Sequence, residues 1–398
     1  MQGLNTLTLA QRALALKPSP TLGMTAKARA MKAQGLDVIS FAAGEPDFNT
    51  PEPICQTAIE ALQAGQTKYT ASSGTPELKS AIAEKVQLDH GVAVETDQIV
   101  VSCGAKHSIY NALMVLVDPG DEVILIAPYW MTYKDQIQLA GGTAVVIYTT
   151  PESGFCPTRE QLHEAISPRT KAIILNSPSN PTGAMLDAVT LQTVAQLSKQ
   201  HGFWILSDEI YDHLTYEGAH ASVFRPDSDV LDRTILVNGC SKTYAMTGWR
   251  IGYCVAPKPI AQAMSNLQDQ VTSNPTTFSQ AGAVTAMRTP ADVVECMRAE
   301  FGARRDLGLE LLSKIDGVRI VKPKGAFYFF IDVSAHLNPR MPTDVELADW
   351  MLEEALIATV PGSVFEGPGH LRLSYATSRA AIEKGLERLA EGLKRLPR

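Results

Sequence analysis

Seven short runs carry apolar residues at nearly every position: IVVSC (99–103), EVILIA (122–127), AVVIY (144–148), KAIILN (171–176), FWILS (203–207), TILVN (234–238) and IGYCVA (251–256). A strand with one wet face alternates apolar and polar residues, whereas a continuous apolar run predicts a strand covered on both faces. Such strands belong to a largely parallel sheet between helix layers. Between the runs the period lengthens to that of a helix, as in KHSIYNALMVLV (106–117) and DAVTLQTVAQLSKQHG (187–202), the second predicted to stop at Gly202. These runs and the helices between them therefore read as an α/β core.

After Pro290 the pattern changes. A long charged helix is predicted over 291–316, closed by Gly317. It is followed by GVRIV, GAFYFFIDV, a helix around TDVELADWMLEEAL, the strand LRLSYA and a final helix from Ser378. These make a small α+β unit. No internal repeat or low-complexity tract interrupts the 398 residues.

Composition narrows the function. A net charge of -7 and the lack of any Lys/Arg-rich run argue against a nucleic-acid partner, and no apolar stretch approaches the roughly 20 residues of a membrane span. The N-terminal MQGLNTLTLAQRALALKPSP lacks the basic and continuous apolar regions of a signal peptide. The six cysteines show neither C-x-x-C pairing nor zinc spacing, so buried thiols in a reducing cytoplasm and no metal are expected. Small-molecule chemistry remains.

Its candidates sit where the apolar runs end. NGCSKTYAMTGWRIGYC (238–254) holds Lys242 and Arg250 in a strand-and-turn context. A lysine there is either a snorkelling surface residue or a desolvated amine whose lowered pKa suits Schiff-base formation. Arg250, read as opening the next apolar strand, calls for an anion, and with the hydroxyl of Ser241 it would suit a phosphate. Gly104-Ala105-Lys106 opens a helix after a strand, where backbone N–H groups bind phosphate, and Lys106 stands against the helix dipole.

Asp208 ends FWILSD at the edge where such sheets bind ligands; it either serves a ligand or caps a following helix that would bring Tyr211 beside its carboxylate. Asn180-Pro181 in SPSNPTG is a candidate cis bond or simply good turn chemistry, and Trp130 in APYWMTY is a stacking surface or a core residue. In HLRLSYATS, Arg372 and Ser374 alternate with Leu371, Leu373 and Tyr375; the arginine is a rim charge or a carboxylate clamp.

With AAGEPDF, KYTASSGTPELK, DPGDEV and GAFYFFID, these segments resemble, in order and over essentially the whole chain, the class I aminotransferases of pyridoxal-phosphate fold type I. Within that class the chain resembles the aspartate and prephenate aminotransferase subgroup. The resemblance implies a large domain over 48–290 with a mostly parallel seven-stranded sheet, and a small α+β domain of 291–398 with the N-terminal arm 1–47. It implies pyridoxal 5'-phosphate bound as a Schiff base to Lys242, which then moves a proton. Asp208 would face the pyridine nitrogen, Tyr211 and Asn180 the phenolic oxygen, and Trp130 the ring. The phosphate would rest on Gly104, Ala105, Ser241 and Arg250, near Lys106, with Tyr69 arriving from the second subunit of a homodimer.

For the substrate it implies Arg372, Asn180 and the backbone of Gly44 on the α-carboxylate, and Lys106 and Thr21 on the distal group. The implied reaction is L-aspartate plus 2-oxoglutarate giving oxaloacetate plus L-glutamate, with prephenate or an aromatic keto acid as an alternative acceptor. Relatives carry Gln where this chain has His107, either a titratable donor or a satisfied histidine facing away. A sensor domain of a transcription regulator would share the motifs, but no basic recognition helix precedes them.

Overall fold

The structure is a computed structural model and describes residues 9–397; the first eight residues of the N-terminal arm lie outside it. All seven predicted runs become strands: β1 (Ile99–Ser102), β2 (Glu122–Ala127), β3 (Thr143–Tyr148), β4 (Thr170–Asn176), β5 (Trp204–Asp208), β6 (Thr234–Gly239) and β7 (Gly252–Val255). They form one sheet in the order β1-β7-β6-β5-β4-β2-β3. Only β7 runs antiparallel to its neighbours. The parallel strands thus end on one edge, and β7, running the other way, begins there.

Burial explains why the runs are apolar throughout: β1, β6 and β7 are buried at every position. Helix α1 (Ala105–Leu116) starts directly after β1, and Gly202 ends the helix Ala188–His201 in the left-handed region at φ 81°, as its position predicts. Asp187 caps that helix's start through the Thr190 N–H.

A second sheet is antiparallel, joining β8 (Arg319–Ile320), β9 (Tyr328–Asp332), β10 (Val360–Pro361) and β11 (His370–Ser374) in the order β10-β11-β9-β8. Its apolar cluster takes Met24, Ala28 and Phe41 from the start of the chain and Phe327, Phe329 and Phe330 from β9 and its approach. Each of these phenylalanines is almost fully buried, a contribution of roughly 1.5–3 kcal/mol apiece. Ile39–Ser40 pairs in parallel with Ile357–Ala358, stitching the N-terminal segment to the C-terminal one. The same cluster includes Ile210, Tyr211 and Leu214 from the turn after β5, so it reaches into the edge of the large sheet.

The cysteine expectation needs correcting. All six thiols are free, but only Cys240 and Cys254 are buried, and Cys296 is exposed on the helix Ala291–Leu312. Among the described residues no helix is long and apolar enough to cross a membrane.

The edge itself is held by a close approach. A Cβ added to Gly252 would lie 2.1 Å from the backbone nitrogen of Ala105 and 2.3 Å from the carbonyl carbon of Gly104. Gly252→Ala is therefore expected to push the start of α1 off β7 and cost about 1–3 kcal/mol, measured as a lower urea midpoint at an unchanged slope. A stability equal to the parent's would show that this contact yields freely.

Candidate active site

A cavity of about 400 Å³ opens at the strand ends, between the large sheet and the small unit. Gly44, Trp130, Asn180, Asp208, Lys242 and Arg372 all line it, although they come from six separate stretches of chain. A pocket of this volume suits a small-molecule ligand.

Lys242 stands three residues beyond β6. Its Nζ donates to the Gly44 carbonyl oxygen at 2.6 Å and makes no ion pair within 4 Å among the described residues. Burial is the main cause that lowers its pKa to about 8; Arg372 and Arg250 push the same way, while Glu45 and Asp208 oppose. Below about pH 8 the amine is charged in both folded and unfolded chains and only the fold bears the desolvation. Between about 8 and the ordinary value of 10.5 that penalty disappears. Urea titrations of cofactor-free Lys242→Met and parent protein at pH 7 and pH 10 are thus expected to move the stability difference in the parent's favour at high pH. A pH-independent difference would contradict the depressed pKa.

Asp208 is 3% exposed, and burial drives its pKa up to about 6, against the hydrogen bonds from Tyr133 and the Ile210 N–H. Its Oδ2 accepts from the Tyr133 hydroxyl at 2.6 Å and its Oδ1 from the Ile210 N–H at 3.3 Å. Here two expectations fail. The segment after β5 is a turn rather than a helix, so Asp208 caps nothing. The Tyr211 hydroxyl pairs instead with that of Tyr328 at 2.8 Å, leaving the place beside the carboxylate to Tyr133.

Arg372 is no rim charge. It is 2% exposed, with Nη1 donating to Asn180 Oδ1 at 2.9 Å and Nη2 to the Ala42 carbonyl at 2.8 Å. The rings of Tyr328 and Phe365 lie 4.6 and 4.9 Å from its guanidinium carbon. Its Nε is buried without a partner, and among the described residues no carboxylate neutralises it. A buried guanidinium so held lacks an anion. Asn180 enters through a cis Asn180–Pro181 peptide.

Arg250 departs from its predicted setting. It is exposed, left-handed at φ 57°, and precedes β7 rather than opening it. Desolvation therefore does not call for an anion here, but aim does: Nη1 donates to the Thr247 carbonyl at 3.0 Å and Nη2 to that of Cys103 at 3.2 Å. These bonds hold the guanidinium over Gly104, where any Cβ would lie 2.4 Å from Nη2. Buried Ser241 and the first turn of α1 at Ala105 complete a positive corner of the cavity.

Residues 36–389 match the family described as Aminotransferase class I and II. The chain belongs to this family. It is 46% identical to a probable aspartate/prephenate aminotransferase of Aquifex aeolicus, covering 98% of this chain and 99% of that one. It is 47% identical to an aspartate aminotransferase of Bacillus sp. strain YM-2, over 96% and 98% of the two chains. Among solved structures, the aspartate aminotransferase of Thermus thermophilus with maleate superimposes with a TM-score of 0.93 at 43% identity, over 97% of this chain and 100% of that one.

The aminotransferase's remaining predicted residues divide. Lys106 lies in the cavity wall with Nζ 4.8 Å above the Trp130 ring. Its pKa is lowered by burial and by Arg250, with Asp135 opposing. Thr21, in the first turn of the helix Pro20–Ala33, lines the cavity with its Oγ1 buried and unpartnered. Tyr69 does not line it and is 92% exposed. His107 Nδ1 accepts the Cys103 N–H at 3.2 Å, so that nitrogen carries no proton, and burial lowers the ring's pKa. The ring does not line the cavity and is only half satisfied, since among the described residues its buried Nε2 finds no partner.

Tyr133 and Tyr328 were missed. Tyr133 lies three residues after Trp130, one helical turn, and that spacing was the available signal. Tyr328 sits in GAFYFFID, where every position is buried and no alternation singles it out.

Proposed function

We propose that this aminotransferase binds pyridoxal 5'-phosphate and carries an amino group from L-aspartate to 2-oxoglutarate, releasing oxaloacetate and L-glutamate in turn. One observation carries the reading: a lysine amine held near pKa 8 shares one cavity with a buried carboxylate and a buried arginine that has no anion. The cofactor fits these residues, since the cavity offers an amine for its aldehyde, an acid for its ring nitrogen and a positive corner for its phosphate. Bound, it supplies a protonated ring that takes up the electron pair left when the substrate Cα loses its proton.

The protein's own groups do the rest. Lys242 would be the covalent anchor and the base that takes the substrate Cα proton, a task suited to an amine whose pKa burial lowers to about 8. Asp208 holds the proton of the ring nitrogen, and Tyr133 keeps that carboxylate aimed. Tyr211 and Asn180 serve the phenolic oxygen, and Trp130 the ring face. Gly104, Ala105, Ser241 and Arg250 receive the phosphate, with Tyr69 reaching it from a second copy, so the working enzyme is a homodimer.

Arg372, with Asn180 and the Gly44 backbone, takes the α-carboxylate, and Lys106 with Thr21 the distal one. Residues 48–290 act as the large domain, and 1–47 with 291–398 as the small domain. The setting is the cytoplasm. Prephenate is a second acceptor on this reading, favoured by the Lys106 amine, which lies on Trp130 with no ion-pair partner among the described residues, and by the Aquifex relative's name.

Mixing the holoenzyme with aspartate, glutamate, phenylalanine and arogenate in separate half-reactions is expected to shift the cofactor's visible band rapidly with the first two, and with arogenate if prephenate is a substrate. No shift with aspartate would overturn the reading. Arg372→Ala is expected to lower kcat/KM for aspartate by about 100-fold or more, with Arg372→Lys recovering only part, because a single ammonium cannot fork onto a carboxylate. Equal activity of all three would remove Arg372 from the site.

A further inference from the structure

Behind Asp208 lies a buried polar cluster that none of this chemistry uses. Side chains alternate along an extended chain, so Ser207 and Glu209 share the face that Asp208 does not. Glu209 is 1% exposed, and its carboxylate accepts from Ser207 Oγ at 2.6 Å, from Ser222 Oγ at 2.5 Å and from His220 Nε2 at 2.6 Å. Its own N–H donates to the Val237 carbonyl at 2.9 Å, carrying the β5–β6 pairing one residue past Asp208. Burying a carboxylate costs several kcal/mol unless donors surround it, and here three do.

This clamp grips the peptide that joins Asp208 to the turn carrying Tyr211, and both of these residues line the cavity. Asp208 lies on its N-terminal side, with its carbonyl accepting from Asn176 Nδ2 at 3.1 Å, and Tyr211 lies two residues on. The turn 209–213 forms no continuous helix: its own backbone bonds are the isolated turns from the Asp212 N–H to the Glu209 carbonyl at 2.9 Å and from the Leu214 N–H to the Tyr211 carbonyl at 2.8 Å, and neither fixes the two side chains. We propose that Glu209, clamped by His220, Ser207 and Ser222, is a positioning residue that fixes where the Asp208 carboxylate and the Tyr211 hydroxyl meet the bound cofactor. The inference rests on the pyridoxal-phosphate reading.

Electrostatics supports a charged clamp. Burial pushes the Glu209 pKa up, yet the bond and charge of His220 bring it below the ordinary value. Burial pushes His220 down, yet Glu209 brings it above. The two directions agree on an ion pair. The other charged groups around it are His90, Asp89 and Asp212 on the outer side, and Asp208 with Lys242 beyond it on the cavity side.

The test uses Glu209→Ala, Glu209→Gln and His220→Gln. The control is Lys314→Gln, which breaks the exposed Lys314–Glu310 pair and shares no partner with the Glu209 cluster. Two quantities are read: the dissociation constant of pyridoxal phosphate from stripped protein, and the pH midpoint of the visible band after reconstitution. Glu209→Ala is expected to weaken binding about tenfold or more and to move the midpoint by about half a unit or more. Glu209→Gln, which keeps an acceptor for the hydroxyls but removes the ion pair with His220, is expected to fall between the parent and Glu209→Ala, and the control to match the parent.

Variants that melt earlier but keep the parent's affinity and midpoint would overturn the proposal and leave Glu209 a stability residue. Should Glu209→Ala fail to fold, His220→Gln decides by the same two readings, with an expected loss of about three- to tenfold. A parent protein that develops no visible band at all would instead sink the cofactor reading, and this inference with it.

Discussion

The site depends on charges that are buried but not allowed to neutralise one another. Lys242, Asp208 and Arg372 share one cavity, yet the amine is held by a backbone carbonyl, the carboxylate by a tyrosine hydroxyl and the guanidinium by an amide and a carbonyl. A fold optimised for stability alone would pair them or replace them with apolar residues. Keeping them apart leaves an amine whose pKa burial lowers to about 8 and an arginine whose Nε has no partner among the described residues. The rigid sheet edge makes this possible. The end of β5 places Asp208, the turn after β6 places Lys242 and β11 of the second sheet places Arg372, while close approaches such as Gly252 against Ala105 leave the backbone little room to relax.

Much of the architecture could be read from the chain because doubly buried strands leave an unmistakable signature. Runs such as EVILIA and KAIILN are apolar at positions that a half-exposed strand would give to polar residues. The pairing of Ile39–Ser40 with Ile357–Ala358 left no such trace, since two residues carry no period and the partners are more than 300 positions apart. Site residues at strand ends were found for the same reason that strands were.

Side-chain partners were harder. Reading Tyr211 beside Asp208 assumed a helical turn, but the chain after β5 makes an irregular one, and Tyr211 meets Tyr328, 117 residues away. Arg250 was taken for a buried strand residue, and its left-handed backbone is set instead by the turn TGWR and the carbonyls it grips. Both errors come from tertiary contacts overriding a local pattern. The Glu209 cluster belongs to the same class: His220 and Ser222 return to β5 from a loop more than ten residues on, and nothing in their spacing announces it. On this account β5 works on both faces, with Asp208 toward the cofactor and Glu209 behind it.

Lys242, among all the lysines, is the one placed to join the cofactor to the chain. Borohydride reduction of the protein loaded with pyridoxal phosphate, followed by digestion and mass spectrometry, addresses it directly. The account requires one pyridoxyl group per chain, on the peptide containing Lys242. A label distributed over surface lysines, or carried by Lys106 with Lys242 unmodified, would contradict it.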